Sequence, residues 1–294
     1  MNLVQEGLAL GIPAPDPDAH ERPSAARIYR MWFGAEDAVP ADQDLARKIL
    51  NAFPREPAAA KINRSHHLLI TETLAARGIA QFLDLGCGYA LPRPQGGGDL
   101  LFAQNTHDVA QQHWRCATVV YADIDHDVVA CQRSLLASAP TASRPTAVLA
   151  DVTDMAHLLS RLEADGQLTR ERPVAVLLHD VLPWIPDDAQ AQESVAYLRT
   201  WLPPGSALSI THATPDFSPT WVKRVQDVYD DAGIAFRPRD RQSISNLFGD
   251  WADLYGGPVR MVPTARHQTR HQFSAVPDYI SAAYASVAVK QPTS

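Results

Sequence analysis

The sequence predicts an α/β protein built on a doubly wound, mostly parallel sheet, and three observations predict it. Five short apolar runs punctuate residues 81–210, helical periodicity fills the gaps between them, and three successive runs end in a glycine turn or an aspartate. A strand can return parallel to its neighbour only through a long crossover, so this alternation means parallel strands with helices on both faces.

Two helical patterns come first. Residues 41–53 form one and residues 57–77 the other, with Ile62, Leu69, Ile70 and Leu74 on one face and Gly78 closing it. The strands follow at 81–85, 118–122, 147–150, 174–178 and 207–210. Between them Val128, Val129, Gln132, Leu135 and Leu136 share one helical face, and Met155, Leu158, Leu159 and Leu162 share another. After the fifth strand, Ser218 as a cap and Pro219 in the first turn open a helix carrying Trp221, Val222, Val225 and Tyr229, which Gly233 stops. Residues 234–236 and 284–289 are candidates for two further strands, and 239–257 reads as a polar helix and loop. The Pro- and Gly-rich stretch 89–104 reads as a flexible loop. Residues 1–20, rich in proline and aspartate, read as a flexible N-terminus. Residues 21–78 then form a helical layer, and 79–294 the sheet domain, the two making one globular unit.

With 294 residues, 46% hydrophobic and 20% charged, the chain can bury a substantial core. A net charge of -7 with scattered arginines argues against nucleic acid as the partner, because phosphate binders need a basic field. No apolar run approaches the ~20 residues that span a bilayer, so no membrane partner is expected. Cys87, Cys116 and Cys131 are odd in number and lack a C-x-x-C pairing, which points to free thiols, a cytoplasmic location and no metal site. The oligomeric state is not set by the sequence, a homodimer being the one considered.

Ligands of open parallel sheets bind beyond the carboxyl ends of the strands. The first strand ends Asp84-Leu85-Gly86-Cys87-Gly88, where two glycines let backbone approach a ligand closely. The second ends at Asp123, followed by Ile124, and a carboxylate there can accept both hydroxyls of a ribose. The third ends at Asp151-Val152, where Asp151 can accept from an adenine amino group. Singly, each is an ordinary turn or helix cap. In order on three successive strand ends they point to an adenosine-containing ligand. A nicotinamide dinucleotide fits poorly: Leu91 stands where the third glycine of G-x-G-x-x-G belongs, and Asp123 lies well beyond the acid expected about 20 residues on. Asp84 would also repel a pyrophosphate, whereas a sulfonium and an ammonium want an acid there.

The sequence resembles the class I S-adenosylmethionine-dependent methyltransferases and, more narrowly, a bacterial family known only as S-adenosyl methyltransferases. The blocks that carry the resemblance span residues 23–212. They are Ala26-Arg27-Ile28-Tyr29-Arg30-Met31-Trp32-Phe33-Gly34 with Asp37 and Ala41-Asp42, then Asn63-Arg64, then Gln81-Phe82-Leu83-Asp84-Leu85-Gly86-Cys87-Gly88. Asn105-Thr106-His107-Asp108-Val109-Ala110, Val119-Val120-Tyr121-Ala122-Asp123, Pro203-Pro204-Gly205-Ser206 and Ser209-Ile210-Thr211-His212-Ala213 follow. The resemblance implies a seven-stranded Rossmann-like sheet, S-adenosyl-L-methionine as cofactor, and a small-molecule methyl acceptor. It implies that Asp84, Gly86, Cys87 and Gly88 form the methionine-side loop, that Asp123 and Ile124 hold the ribose, and that Asp151 and Val152 border the adenine. A helical lid over 21–78 would bring Tyr29 and Asp37 to the cofactor, with His107 and His179 on the same site. The chain departs from the family in an apparent insertion at 93–103 and in His179-Asp180-Val181-Leu182-Pro183-Trp184, both on the acceptor side.

Methyl transfer to a hydroxyl or an amine is helped by a general base, which histidine supplies near neutral pH. His179 with Asp180 is the first candidate and His212 the second, while Trp184 is a candidate pocket wall. The string Asp/Asn-Pro-Pro-Tyr/Phe that marks methylation of exocyclic base nitrogens is absent. A non-catalytic protein that binds adenosylmethionine as a sensor is the alternative from a different class.

Overall fold

A computed structural model of the chain describes residues 2–15, 17–91, 102–137, 145–266 and 276–292. Most of the loop expected at 89–104, and of the insertion 93–103, lies outside the described residues. The chain begins with helices α1 (Leu3–Ala9), α2 (Ala25–Met31), α3 (Pro40–Ala52) and α4 (Glu56–Ala76). Alternation then runs β1 (Gln81–Leu85), α5 (Thr106–His113), β2 (Thr118–Asp123), α6 (His126–Ala137), β3 (Thr146–Leu149), α7 (Met155–Ala164), β4 (Ala175–His179), α8 (Asp188–Trp201) and β5 (Ala207–Ala213). Helices α9 (Pro219–Asp231) and α10 (Arg241–Asn246) lead to β6 (Ala252–Asp253), β7 (Val262–Pro263), α11 (Asp278–Ser281) and β8 (Ala283–Val289).

Among the described residues these strands form one sheet of eight, ordered β3-β2-β1-β4-β5-β8-β6, with β7 also pairing β8. The first five strands are parallel, and β8 runs antiparallel to β5 over its full length. The order reverses between β1 and β4, and it is there that a doubly wound sheet opens a crevice at its carboxyl edge.

Alternation along each strand divides the core in two. Leu83, Val120, Val148, Val176 and Leu178 face Leu158, Leu159 and Leu162 of α7 and Leu198 of α8. On the other face Phe82, Val119, Tyr121 and Leu177 meet Ile70 and Leu74 of α4 and Val129 and Leu136 of α6. Burial on both faces is why the strands read as continuous apolar runs. A third cluster lies beyond the strand tips, where Ile28, Leu45, Ile49 and Phe53 of the N-terminal layer pack on Val222, Val225 and Tyr229 of α9.

Two sequence expectations change. The N-terminal segment is not frayed along its length: Asn2 caps α1, and Leu3, Leu10 and Ile12 pack on the α6 side of the sheet. Glu6 fixes the helix there by pairing with Arg133 Nη2 at 3.0 Å. Residues 234–236 are not a strand, because β8 already occupies the free edge of β5. Arg237 N donates instead to Pro183 O at 2.6 Å and Arg239 N to Ala213 O at 3.1 Å, so this segment ties α9 to the β4 and β5 tips.

Asp42 joins α2 to α3. Its buried carboxylate accepts from Arg27 Nε at 2.7 Å, Ser24 N at 2.8 Å and Val39 N at 3.0 Å. Asp42→Ala would leave the largely buried Arg27 guanidinium and two backbone N–H groups without their acceptor. It is expected to cost about 3 kcal/mol of unfolding free energy, read by urea denaturation. A loss below 1 kcal/mol would mean that the pair behaves as an exposed one.

Candidate functional site

The glycine turn after β1 has two distinct reasons for its glycines. Gly86 has φ 58°, and a Cβ there would stand 2.6 Å from Val181 Cγ2, so the turn lies hard against the β4 tip. Gly88 has φ 62°, and a Cβ there would meet nothing within 4 Å, so its left-handed backbone borders open space. Asp123 grips this turn: its Oδ2 accepts from Gly88 N at 2.9 Å and its Oδ1 from Asp125 N at 3.0 Å. Gln132 Nε2 donates to Gly88 O at 2.9 Å from the other side. Burial pushes the Asp123 carboxyl up to about 6, against the pull of its N–H donors.

Ile124 is 51% exposed immediately after that carboxylate, an apolar surface with no protein cover. Ala150 N donates to Asp123 O at 2.8 Å, so the β3 tip abuts the β2 tip. Asp151 accepts from Thr153 N at 2.8 Å and Thr153 Oγ1 at 2.7 Å through one oxygen, with Val152 half-buried between. The three strand tips therefore sit side by side, as the sequence requires. Cys87 packs into the α4–α6 face of the core, and burial pushes its thiol up, so it is filler beneath the turn.

Asp84 lies deeper. Its Oδ2 accepts from the Thr106 hydroxyl at the start of α5, and burial pushes the carboxyl up to about 6 while that hydroxyl opposes the rise. The contact is the last link of a chain. His67 Nε2 lies 2.9 Å from Thr106 Oγ1, His67 Nδ1 lies 2.9 Å from His179 Nδ1, and His179 Nε2 lies 2.8 Å from Ser209 Oγ. Burial, with Arg64 and His66 nearby, keeps His67 neutral by pushing its pKa well down. A neutral imidazole has one donor and one acceptor, which fixes the directions at His67. The Thr106 hydroxyl spends its proton on Asp84, so it accepts from His67 Nε2–H. His67 Nδ1 then accepts from His179 Nδ1–H, and His179 Nε2 meets the Ser209 hydroxyl. The Thr106, His67 and His179 donors point towards Asp84.

The three histidines singled out in the sequence take different surroundings. His179 is held at both ring nitrogens and does not line the cavity described below. His212 is 0% exposed on the opposite side of β5; its Nδ1 lies 2.8 Å from Ala213 O and its Nε2 lies 3.1 Å from Arg239 Nη1. Burial takes its pKa down to about 3, and the Arg239 charge adds to the fall. His107 is buried at the start of α5 with Nδ1 2.7 Å from Tyr121 Oη, a structural contact of the helix end.

A cavity of about 70 Å³ opens at the tips of β4 and β5. Since a water needs roughly 10–15 Å³ on this measure, it has room for a small organic group. Tyr29, Phe53, Trp184, Tyr229 and Phe236 wall it, and Asn63, Thr211, Glu56 and Asp180 supply its polar atoms. Asp180 has φ 60°, in the left-handed region that non-glycine residues seldom adopt. Burial pushes its carboxyl up to about 8, and the Glu56 charge adds to the rise. Burial alone takes Glu56 up to about 7. Glu56 was not legible as a site residue: an acid before Pro57 reads as an ordinary first-turn helix residue. His67, Thr106 and Ser209 were equally silent, because only the folded chain brings them together.

The lid residues divide. Tyr29 lines the cavity and donates from its hydroxyl to Ala60 O at 3.2 Å. Asp37 is 64% exposed at the side chain and pairs with Arg30, whose Nε donates to Ala90 O at 3.1 Å just past the glycine turn. Helix α2 thus touches the cavity through Tyr29 and the glycine loop through Arg30. Among the described residues no three side chains form a metal cluster, and no helix is long and apolar enough to cross a membrane.

Thr106→Val removes the donor that favours ionised Asp84 while keeping shape. It is expected to cost about 2 kcal/mol at pH 8. The loss shrinks at pH 5, because below about 6 the Asp84 carboxyl is already protonated in the fold. Denaturation curves at the two pH values would show this, and an equal loss at both would mean that Asp84 is not the group served.

The family model for S-adenosyl methyltransferases matches residues 14–291. The chain is similar to a DUF574 family protein from Streptomyces avermitilis MA-4680, at 29% identity over 92% of this chain and 98% of that one, with a TM-score of 0.81. It is also similar to a protein from Thermobifida fusca YX described as a candidate methyltransferase, at 28% identity over 94% and 98%, with a TM-score of 0.78. The CurJ carbon methyltransferase shares the fold alone, at 12% identity over 98% and 70%, with a TM-score of 0.50. No curated protein is significantly similar to the chain. The chain belongs to the S-adenosyl methyltransferase family, and it is a methyltransferase with a Rossmann-like fold whose cofactor is S-adenosyl-L-methionine.

Proposed function

We propose that the chain methylates a small-molecule acceptor at oxygen or nitrogen, the acceptor entering the cavity at the β4 and β5 tips. The observation that carries this reading is the contact between that cavity and the glycine turn: Val181, which follows Asp180, packs against Gly86. A group on Asp180 and a group on the turn are therefore close neighbours. Helices α2, α4 and α9 wall the cavity, which suits a small acceptor better than a duplex or a lipid surface.

The residues present fit the cofactor. Asp123 would take the ribose hydroxyls, Ile124 and Val152 would flank the adenine with Asp151 at its edge, and Gly88 leaves space where a Cβ would stand. Asp84 and the turn of Gly86 and Cys87 would face the positively charged methionine end, while Tyr29 and Asp37 would close over it from α2. When bound, adenosylmethionine supplies a methyl carbon activated by a positive sulfur. The protein's share is alignment and exclusion of water, together with a base. We assign the base to Asp180, whose raised pKa suits proton transfer near neutrality, and give His179 the task of fixing the strand tip beside it. Cys87, Cys116 and Cys131 are all free thiols, which supports a cytoplasmic protein.

Asp123→Ala is expected to weaken adenosylmethionine binding more than about tenfold, roughly 1.4 kcal/mol, in calorimetric titration, with an unchanged far-UV spectrum. Unchanged affinity would displace the ribose from Asp123. Release of S-adenosylhomocysteine with a panel of small alcohols, phenols and amines tests the reaction itself. Tight cofactor binding without turnover on any of them would favour the sensor.

A further inference from the structure

We infer that the acceptor is a protonated amine carried on an apolar body, with the carboxylates of Glu56 and Asp180 as its counter-ions. The inference rests on the cavity being the acceptor site and adds the chemical class that the site selects.

Charge balance comes first. Glu56 and Asp180 are the only ionisable groups of the cavity wall apart from the phenols Tyr29 and Tyr229; no lysine, arginine or histidine lines it among the described residues. The four fully buried carboxylates among the described residues have their donors. Asp42 has Arg27, Asp84 has Thr106, Asp123 has Gly88 N, and Asp253 has Arg260 at 3.1 Å. The carboxylates of Glu56 and Asp180 have no hydrogen-bonding partner among the described residues. Part-buried against apolar walls, a carboxylate without a partner is costly to ionise and picks up a proton more readily. A bound ammonium would reverse that cost at both groups, supplying three N–H donors and the missing positive charge. A carboxylate or phosphate on the acceptor would meet two acids and no compensating cation, so anionic acceptors are rejected.

The walls agree with the charge. Trp184, Tyr229 and Phe236 pack mutually, with ring centroids 4.9, 5.2 and 5.3 Å apart, and all three line the cavity. Aromatic faces attract a cation and accept an apolar body at once. Trp184 is locked to the acid it serves, its Nε1 donating to Asp180 O at 2.7 Å.

The reaction balances without another reagent. Asp180 in its ionised form takes one proton from the ammonium, leaving a neutral amine with a free lone pair. That pair forms the new bond to the methyl carbon as the carbon–sulfur bond breaks, sulfur keeping its electrons. The product is a methylated ammonium, and Asp180 returns its proton to water.

Phenethylamine, 2-phenylethanol and 3-phenylpropionate share one body and differ in the head group. With the intact protein saturated with S-adenosylhomocysteine, calorimetry should show the amine binding at least about tenfold more tightly than the alcohol or the acid. Glu56→Gln and Asp180→Asn should each erase most of that preference while cofactor affinity is unchanged; Asn tolerates the left-handed backbone at 180. No preference for the amine, or a preference that survives both substitutions together, overturns the inference. S-adenosylhomocysteine release from adenosylmethionine, in a parallel assay without added product, reports separately on the reaction. Turnover of alcohols with no amine preference would sink the cation site and keep methyl transfer. Amine preference without turnover on any amine would keep the cation site and sink the transfer.

Discussion

The hydrogen-bond chain that ends on Asp84 is the constraint on which the rest of the site depends. It starts at Ser209 on β5, crosses His179 at the β4 tip and His67 on α4, and reaches β1 through Thr106 on α5. Five elements far apart in sequence are therefore held by one set of directional bonds. From His179 onward the chain runs towards Asp84 because its final acceptor is a carboxylate and His67 is neutral. An apolar replacement at any link would strand a buried donor or acceptor on each side, so the polar residues along it stand or fall together.

The same economy fastens the N-terminal layer. Asp42 holds α2 against α3, Arg64 Nε donates to Phe102 O at 3.3 Å, and Thr211 Oγ1 donates to Asn63 Oδ1 at 2.7 Å. Helix α4 is thus bonded both to the segment entering α5 and to the β5 tip. Tyr29 and Arg30, adjacent on α2, face the cavity and the glycine loop respectively. A layer fixed this way can seal methyl donor and acceptor from water without belonging to the sheet.

The sheet was legible because its signal is local. Apolar runs at 81–85 and 207–210 can only be buried strands in an alternating chain, and Gly86, Gly88 and Asp123 sit where a strand end must turn. The acceptor side was less legible because its signal is not local. His179 and His212 carry the right chemistry in the sequence, yet the pleat sends one into the chain with His67 and the other against Arg239. Only the fold decides which face of a strand a side chain takes. Glu56 gave no sign, since nothing local to α4 shows that its first turn will end at the tip of β4. The two-residue strands β6 and β7 are too short for any pattern to reveal.

Asp180 links these threads. A left-handed aspartate costs of order 1 kcal/mol relative to ordinary backbone, and an unpartnered carboxyl in an apolar hollow costs more. Neither is needed to build the sheet, because β4 pairs with β1 over 175–177 and with β5 over its full length before reaching it. The strain is sustained by neighbours that over-determine it: Asp180 N donates to Thr211 O at 3.1 Å, its carbonyl is taken by Trp184, and Val181 wedges against Gly86. A residue held so firmly in a conformation it resists, with its one reactive group left unsatisfied, is organised for a ligand rather than for the fold. That is the ground on which we assign the base to Asp180 rather than to the histidine before it.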